Sequence, residues 1–462
     1  MDTKSKYSKL HADSAVCFVN CLNHTKGEWY GQPFKLIDWQ DQIMRDVFGV
    51  LKPNGNRQFN TAYVEIPKKQ GKELFLNTLI PTPSGYTTMG KIRVGDNVFD
   101  ENGNICQVVA KSPIDCSEQA YRITFKDGEV VEAGERHQWY GQRTRGEPKN
   151  CIMTTKELFN LPKDGRSLRF RIPIAKCLKL NEVSLPICPY LMGYWLGNGS
   201  ANEPKITVKT EDVSGVLNNI INYHEISSIR RNVGDSVVIR IPILNKILLK
   251  SFHYKKIPLE YLRSSERQRM ELLRGLIDSD GCIEKINGQA VYCSAERGLA
   301  RNVSELLWSL GIKNAITQDI STQRKDWSKR SKECGRIATG EILYYVKFTA
   351  FKDTKISGLY RKYTNSIERN PRTRSHFRYI DKIEKIPNRG MQCIQVDSPS
   401  HQYLIGRSCL PTHNSELAAA VALYLTCGDF EHGGEIYGCA SDRQQASIVF
   451  DVAVDMVNNA RL

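Results

Sequence analysis

The sequence predicts a multidomain α+β chain: a β-rich segment holds a helical insertion and itself interrupts an α/β nucleotide-binding unit. Three observations predict this. The 462 residues exceed what one hydrophobic core supports, so two to four domains are expected. "VEIPKKQGK" ends at Lys72 like a phosphate-binding loop, yet Glu73 stands where such a loop needs Ser or Thr, and the missing serine and helix, "SELAAAVALYL", begin only at Ser415. Between these halves, alternating β-formers lead into two apolar helical stretches, and a strand-like segment resumes near "FRYIDKIEKIPNRG".

Composition narrows the partners. Apolar residues make up 40% and charged residues 25%, as in an ordinary globular protein. A formal charge of +15 points to a polyanion, nucleic acid first. The N-terminus lacks the long apolar stretch of a signal peptide, and no run approaches the roughly 18 apolar residues of a membrane span. No membrane partner and a cytoplasmic location, in a bacterial host, are therefore expected. The 14 cysteines contain no C-x-x-C pair, so neither a zinc site nor a disulfide framework is expected, and the thiols stay available as nucleophiles.

In chain order, the first element is the interrupted loop. Joining Lys72 to Ser415 gives strand, Gly-Lys-Ser loop and helix. Backbone N–H groups around Lys68, Lys69, Gln70 and Gly71 would cradle phosphates, Lys72 would reach the β/γ phosphates and Ser415 would hold magnesium. The loop departs from the usual spacing at its first position, where Ile66 or Pro67 replaces Gly. With "FKLIDWQDQIMRDVFG" and "EIYGCASDRQQASIVF", the flanks resemble the ATPase part of phage terminase large subunits. That resemblance implies ATP and Mg2+ for the joined loop, an adenine contact at Trp39-Gln40, and phage DNA-packaging components as partners. The chain ends at Leu462, before an acidic strand or a nuclease domain, so a complete motor is not expected.

The interrupting segment, Glu73 to Asn414, opens with "NTLIPTPSGYTTMGKIRVGDNVFDENGNICQVVAK", β-formers punctuated by Gly-Asp and Asn-Gly turns. It closes with "HQYLIGRSCLPTHNS". The Asn414 side-chain amide can attack its own carbonyl and cut the chain as a succinimide. His413 can move protons in that step, and Ser415 can accept the upstream chain as an ester that relaxes to an amide. Both ends resemble a self-splicing intein with an all-β Hint fold. Most inteins start with Cys, Ser or Ala, and Glu73 is a poor acyl acceptor, so either the intein is inactive or the nucleophile lies elsewhere. Cys393, Trp139 and Thr412 resemble the trio of the third mechanistic class of inteins. In that class the Cys393 thiolate attacks the Lys72 carbonyl, the acyl group passes to Ser415, and Asn414 cyclises. Trp139 and Thr412 order the site around Cys393, and His137 protonates the departing amine of Glu73. The threonine usually three residues before this histidine is Gly134 here. Splicing of this kind needs no cofactor. A decayed intein, inactive in splicing and acting only as a DNA-binding or endonuclease protein, is the alternative.

A Hint fold is far shorter than this segment. "YLMGYWLGNGS" and "LLRGLIDSDGCI" carry small residues four apart, Gly193 with Gly197 and Gly275 with Ser279, a spacing that lets two helices approach closely. The second stretch resembles the motif of LAGLIDADG homing endonucleases, which implies an αββαββα domain, Mg2+ and a double-stranded DNA site. Asp280 is the implied metal ligand of the second helix, and its counterpart in the first is Asn198, which cannot offset cation charge. Weak or absent cleavage with retained DNA binding follows. Lys255 or Lys256 is expected near phosphate. The stretches "STQRKDWSKRSKECGR" and "LYRKYTNSIERNPRTRSHFRY" are expected to form a DNA-facing basic and aromatic surface. The implied organisation is 1–72 and 415–462 for the flanking ATPase pieces, 73–185 and 373–414 for the Hint parts, and 186–372 for the endonuclease.

Overall fold

In the computed structural model, the described residues are 6–23, 36, 38–59, 73–143, 150–161, 163–164, 167–168, 170–231, 234–248, 255–320, 342–368, 376–398, 400, 402–412 and 454. Lys68 to Lys72, His413, Asn414 and Ser415 therefore lie outside them, as do the joined loop, most of the two basic stretches and the side chain of Trp39. The chain divides into two compact units, one of residues 70–398 and 402–413, the other of 1–69, 399–401 and 414–462. Among the described residues no helix is long and apolar enough to cross a membrane.

The flanking unit contains the helices Lys9–Cys21 and Asp38–Phe48, the first capped by the Ser8 side chain. Arg45 bonds Asp41 one turn back, at 2.5 Å, and Asp13 of the other helix, also at 2.5 Å. Gln40 is buried on the second helix.

The larger unit is built around two hydrophobic cores. One draws on residues from Leu74 to Ile172 and again from Ile380 to Leu410; the other is contributed by residues from Ile187 to Leu359. The first core lies under an eight-stranded antiparallel sheet. Its strand order is Asn150–Thr154, Gln138–Arg143, Phe170–Pro173, Phe377–Ile386, Ala120–Phe125, Val130–Gly134, Leu74–Phe75 and Met391–Gln392. Phe377–Ile386 thus lies between Phe170–Pro173 and Ala120–Phe125, early strands flanking a late one. The late strand Ile394–Val396 likewise pairs with the early Ile105–Lys111. Alternation drives this placement: Ile105–Lys111 buries every second residue, as one-sided strands do. The "DENGN" turn folds as expected. The Asp100 carboxylate accepts from Asn102 N at 2.9 Å and Asn104 N at 2.7 Å, and Gly103 supplies φ +77°.

The second core comprises two helix-plus-sheet repeats. Helix Pro189–Asn198 precedes a three-stranded sheet of Lys205–Lys209, Ser236–Arg240 and Ser228–Arg231; the last of these strands is not evident in the sequence pattern. Helix Glu266–Asp280 starts with a Ser265/Gln268 capping box and precedes a four-stranded sheet, Gly281–Ile283, Gln289–Ser294, Ile342–Thr349 and Asn314–Ile320. The amphipathic helix Arg297–Ser309 packs on this sheet through Leu299, Val303 and Leu306. A buried arginine joins the two cores: Arg263 donates to the carbonyls of Thr82 and Gly85, both at 3.2 Å, and to Glu305 at 3.3 Å.

Candidate active site

Both ends of the 73–412 stretch converge on one turn. Gly134, the last residue of its strand, donates its N–H to the Glu73 carbonyl at 2.9 Å, and its own carbonyl accepts from His137 N at 3.1 Å. Across the site, Thr412 Oγ1 lies 2.7 Å from His137 Nε2. The sequence places these three residues far apart; the sheet order brings them within one four-residue turn. The three groups that meet there are buried: His137 fully, Thr412 at 1% exposed and Glu73 at 7% exposed.

Trp139 packs against the histidine, its ring centroid 4.6 Å from the imidazole's, and meets the Phe125 ring edge-on at 6.3 Å. Its indole N–H donates to Thr155 Oγ1 at 3.0 Å, and that hydroxyl donates to the His137 carbonyl at 3.2 Å. Thr155 also donates its backbone N–H to the same carbonyl at 2.8 Å. Trp139 and Thr412 thus clamp His137 from two sides. Thr155 has no sequence signature and was not anticipated.

Cys393 directly follows Gln392, the strand partner of Leu74, and Glu73 directly precedes Leu74. The thiol-bearing residue and the junction residue therefore each stand one position beyond the Gln392–Leu74 pair of these antiparallel strands. Cys393 is 1% exposed. Ser112 fixes its backbone, with Oγ accepting from Cys393 N at 2.9 Å and Ser112 N donating to Cys393 O at 2.9 Å. Ser112 too went unanticipated, because its role exists only once the Ile394–Val396 strand docks. Burial, with the Cys393 sulfur as second cause, pushes the Tyr403 phenol upward, and Tyr403 is the strand partner of Thr412. Tyr403 therefore links the thiol to the threonine.

Glu73 is not an idle first residue. Burial, then Glu118 and Asp115, pushes its carboxyl up to about 9. Glu118 occupies the space that Gly134 leaves: a Cβ on Gly134 would sit 2.6 Å from Glu118 Oε2. The missing threonine side chain is thus replaced by a carboxylate from a neighbouring segment.

In the second core, the two apolar helices meet through their glycines. A Cβ on Gly193 would lie 2.2 Å from Leu272 O, and one on Gly275 would lie 2.1 Å from Tyr190 O, so only glycine permits this approach. A Cβ on Gly197 would lie 2.2 Å from Ser279 Oγ and 3.1 Å from Asp280 Oδ2, which puts Asp280 beside the helix end carrying Asn198. Asp280 is exposed and Asn198 half-buried. The other aspartate of that motif is different. Asp278 is buried and accepts from Tyr190 Oη at 2.8 Å, Ser357 Oγ at 2.5 Å and Gly358 N at 3.0 Å. Burial raises its carboxyl above the usual range.

Residues 267–345 match the LAGLIDADG-like domain. The match begins inside the second helix and ends inside the Ile342–Thr349 strand. Along the whole chain, a replicative DNA helicase DnaB of Mycobacterium intracellulare is 30% identical over 405 residues, an alignment covering 83% of this chain and 63% of the helicase. A replicative DNA helicase DnaB of Mycobacterium leprae (strain TN) is 42% identical over 77 residues, 16% of this chain and 13% of the helicase. The chain thus spans less than two thirds of the length of these relatives. Among solved structures, the MchDnaB-1 intein aligns with 74% of this chain and 99% of its own at 14% identity and a TM-score of 0.25. A variant of I-DmoI, in complex with its target DNA, aligns with 36% of this chain and 87% of its own at 16% identity and a TM-score of 0.24. Such scores do not by themselves establish a shared fold.

Three expectations are corrected. The expected terminase kinship of the flanks, with its packaging partners, finds no support, since the relatives are replicative helicases. Lys255, one of the two lysines expected near phosphate, does not reach outward for it, whereas Lys256 is exposed. The Lys255 ammonium donates to the carbonyls of Trp195, Gly197 and Gly199 at 3.2, 2.9 and 3.0 Å, closing the C-terminal end of the first helix. The expected basic face around residues 359–379 is partly committed elsewhere. Arg361 is paired with Asp212 at 2.7 Å, and Lys362 is buried with its ammonium on the carbonyls of Ile277, Asp278 and Gly281 at 2.7, 2.9 and 2.8 Å. The two lysines close the two paired helices in the same way, a symmetry that the sequence does not display.

Proposed function

We propose that residues 73–414 are a self-splicing intein with a LAGLIDADG-type DNA-binding insertion at 186–372, and that excision joins Lys72 to Ser415. The observation that carries this reading is the convergence of both ends of the segment on the Gly134–His137 turn, with Cys393 one step from the upstream junction. A segment that only folded between two flanks has no need to bury both of its ends around one histidine.

The chemistry balances without an added reactant. Cys393 gives up its thiol proton and attacks the Lys72 carbonyl. The Lys72–Glu73 bond breaks as the Glu73 nitrogen takes a proton, leaving Lys72 as a thioester on Cys393. His137, oriented by Thr412 and Trp139, is placed to deliver that proton, since the Glu73 carbonyl rests on the same turn. The N–H of Gly134 holds the Glu73 carbonyl and so orients the departing nitrogen. Ser415 then attacks the thioester and regenerates the thiol. The Asn414 side-chain nitrogen attacks its own carbonyl, frees the Ser415 amine, and that amine displaces the ester to leave a peptide bond. Burial of the first residue keeps water from the thioester.

The joined loop, "VEIPKKQGKSELAAA", would bind Mg2+-ATP through Lys72 and Ser415, with Lys68, Lys69, Gln70 and Gly71 around the phosphates. Only this chemistry of the flanks is proposed. The paired helices support a DNA-binding role for the insertion. A cleft of about 550 Å3 beside Asp280 is lined by Lys347 and Asn365, which can face a phosphodiester, and walled by Arg361 and Lys362, whose donors are already committed within the fold. The residues fit Mg2+ at Asp280 only in part, because Asn198 brings no charge to its half.

The thioester is the testable intermediate. In Asn414→Ala, which blocks release, dithiothreitol is expected to liberate a fragment of residues 1–72. If no fragment appears after thiol treatment, an acyl group on Cys393 is ruled out.

A further inference from the structure

Beside the upstream junction lies a group of carboxylates that the splicing scheme does not use. Glu73, Asp115 and Glu118 each place one oxygen within 4.8 Å of the others. Two segments supply them, with Asp115 and Glu118 three residues apart in the connection between Ile105–Lys111 and Ala120–Phe125. Glu73 precedes the Leu74–Phe75 strand, Asp115 is bridged to Met391, and Glu118 precedes the Ala120–Phe125 strand. Two of the three are more than nine-tenths buried, Glu73 at 7% exposed and Glu118 at 6%.

The partners of these groups leave one side bare. Glu118 Oε1 accepts from Arg136 N at 2.7 Å and lies 3.4 Å from Arg136 Nε, while Glu118 Oε2 has no hydrogen-bond partner. Glu73 Oε2 has none either. Asp115 Oδ1 accepts from Ser117 N and Ser117 Oγ, both at 2.6 Å. Buried carboxylate oxygens with no donor are unfavourable unless a proton or a cation occupies the space between them. Glycine at position 134 removes the Cβ that would sit 2.6 Å from Glu118 Oε2, and so keeps open the space into which that oxygen projects.

We propose that Glu73, Asp115 and Glu118 bind one divalent cation through oxygen ligands and thereby fasten the first residue of the excised segment in its strand pair. An all-oxygen donor set selects hard ions such as Ca2+, Mn2+ or Mg2+ over thiophilic ones. The spacing suits this, because two oxygens on opposite sides of a calcium-sized ion stand about 4.6–5.2 Å apart. The ion supplies the positive charge that the lone arginine at the rim does not, and gives the two bare oxygens a partner. All three residues lie within 73–414, so the site is the same in the precursor and in the excised segment and stands whether or not the chain splices.

The test is Mn2+ binding to the metal-stripped full-length chain, with unbound Mn2+ read by electron paramagnetic resonance and the splicing state read by intact mass in the same samples. Asp280→Asn is run in parallel to identify any ion held by the insertion. Glu118→Gln is expected to remove one saturable Mn2+ equivalent that Asp280→Asn leaves in place. Asp115→Asn, at the half-exposed position that tolerates replacement best, is expected to weaken the same equivalent at least tenfold. Circular dichroism confirms that each variant is folded. Should Glu118→Gln misfold, Asp115→Asn decides the matter. Unchanged stoichiometry and affinity in the folded variants, or no saturable Mn2+ in the folded parent whatever its splicing state, would overturn the site, and the intact masses report separately on splicing.

Discussion

At the scale of single residues, two junction positions have exchanged roles. Glu73 stands at the step where an acyl acceptor is usual, yet its carboxyl is pushed up to about 9 by burial and its acidic neighbours, which suits a held group and not a nucleophile. In the proposed scheme Cys393, one position beyond the Gln392–Leu74 pair, takes the nucleophile's place. Glu73→Ala is therefore expected to splice, with its rate within about tenfold of the parent by gel densitometry, because it removes no reacting atom. His137→Ala should slow cleavage at Lys72–Glu73 by about 10²–10⁴-fold, the usual contribution of a positioned proton donor, read as the half-life of the precursor. Gly134 and Glu118 form a coupled pair. Gly134→Thr should destabilise the chain by roughly 1–3 kcal/mol in urea unfolding, because the new Cβ overlaps a buried carboxylate, and Glu118→Ala should relieve much of that loss. Cys393, Trp139, His137 and Thr412 are singled out in the sequence only through the resemblance to the third class of inteins. Ser112, Thr155, Asp115 and Glu118 are not, since ordinary polar residues acquire these roles only when distant strands meet.

At the scale of elements, the small residues four apart did announce two closely packed helices, and the packing through Gly193 and Gly275 follows from them. What closes those helices was invisible. Lys255 lies outside any capping position of the first helix, and Lys362 is reached from far downstream of the second. Lys362→Met would leave three carbonyls at the end of Glu266–Asp280 without their donor and should cost a few kcal/mol by urea unfolding. Burial lowers this ammonium from 10.5 to about 8. A depressed group of this kind contributes stability that is complete above the unfolded value and is lost as pH falls through the folded one. The stability difference between parent and Lys362→Met should therefore be larger at pH 10 than at pH 7. The helix ends also carry the Asn198/Asp280 asymmetry from which impaired cleavage is expected. Asn198→Asp restores the missing charge opposite Asp280 and should raise Mg2+-dependent cutting or nicking of an unoccupied target sequence by at least tenfold. No gain at any Mg2+ concentration would count against that role for position 198.

At the scale of the whole molecule, the sheet order settles what the sequence could only suggest. Strands from before and after the helical insertion alternate in one sheet, so the β core cannot form until the chain has returned past residue 377. Nesting of one core inside the other follows from hydrophobic pattern and from the long apolar helices, and both are read locally. The strand order, by contrast, depends on contacts between residues hundreds of positions apart, which no local pattern encodes. The same long-range closure is what brings the two ends of the segment to His137. The account rests on a thiol capturing the upstream fragment at that meeting point. Intact-mass analysis of the purified full-length chain beside Cys393→Ala tests this most directly. The parent should yield the excised segment 73–414 and a product joining 1–72 to 415–462, whereas Cys393→Ala should show no joined product and no cleavage at Lys72–Glu73. Joined flanks in Cys393→Ala, or a parent that remains entirely uncut, would contradict it.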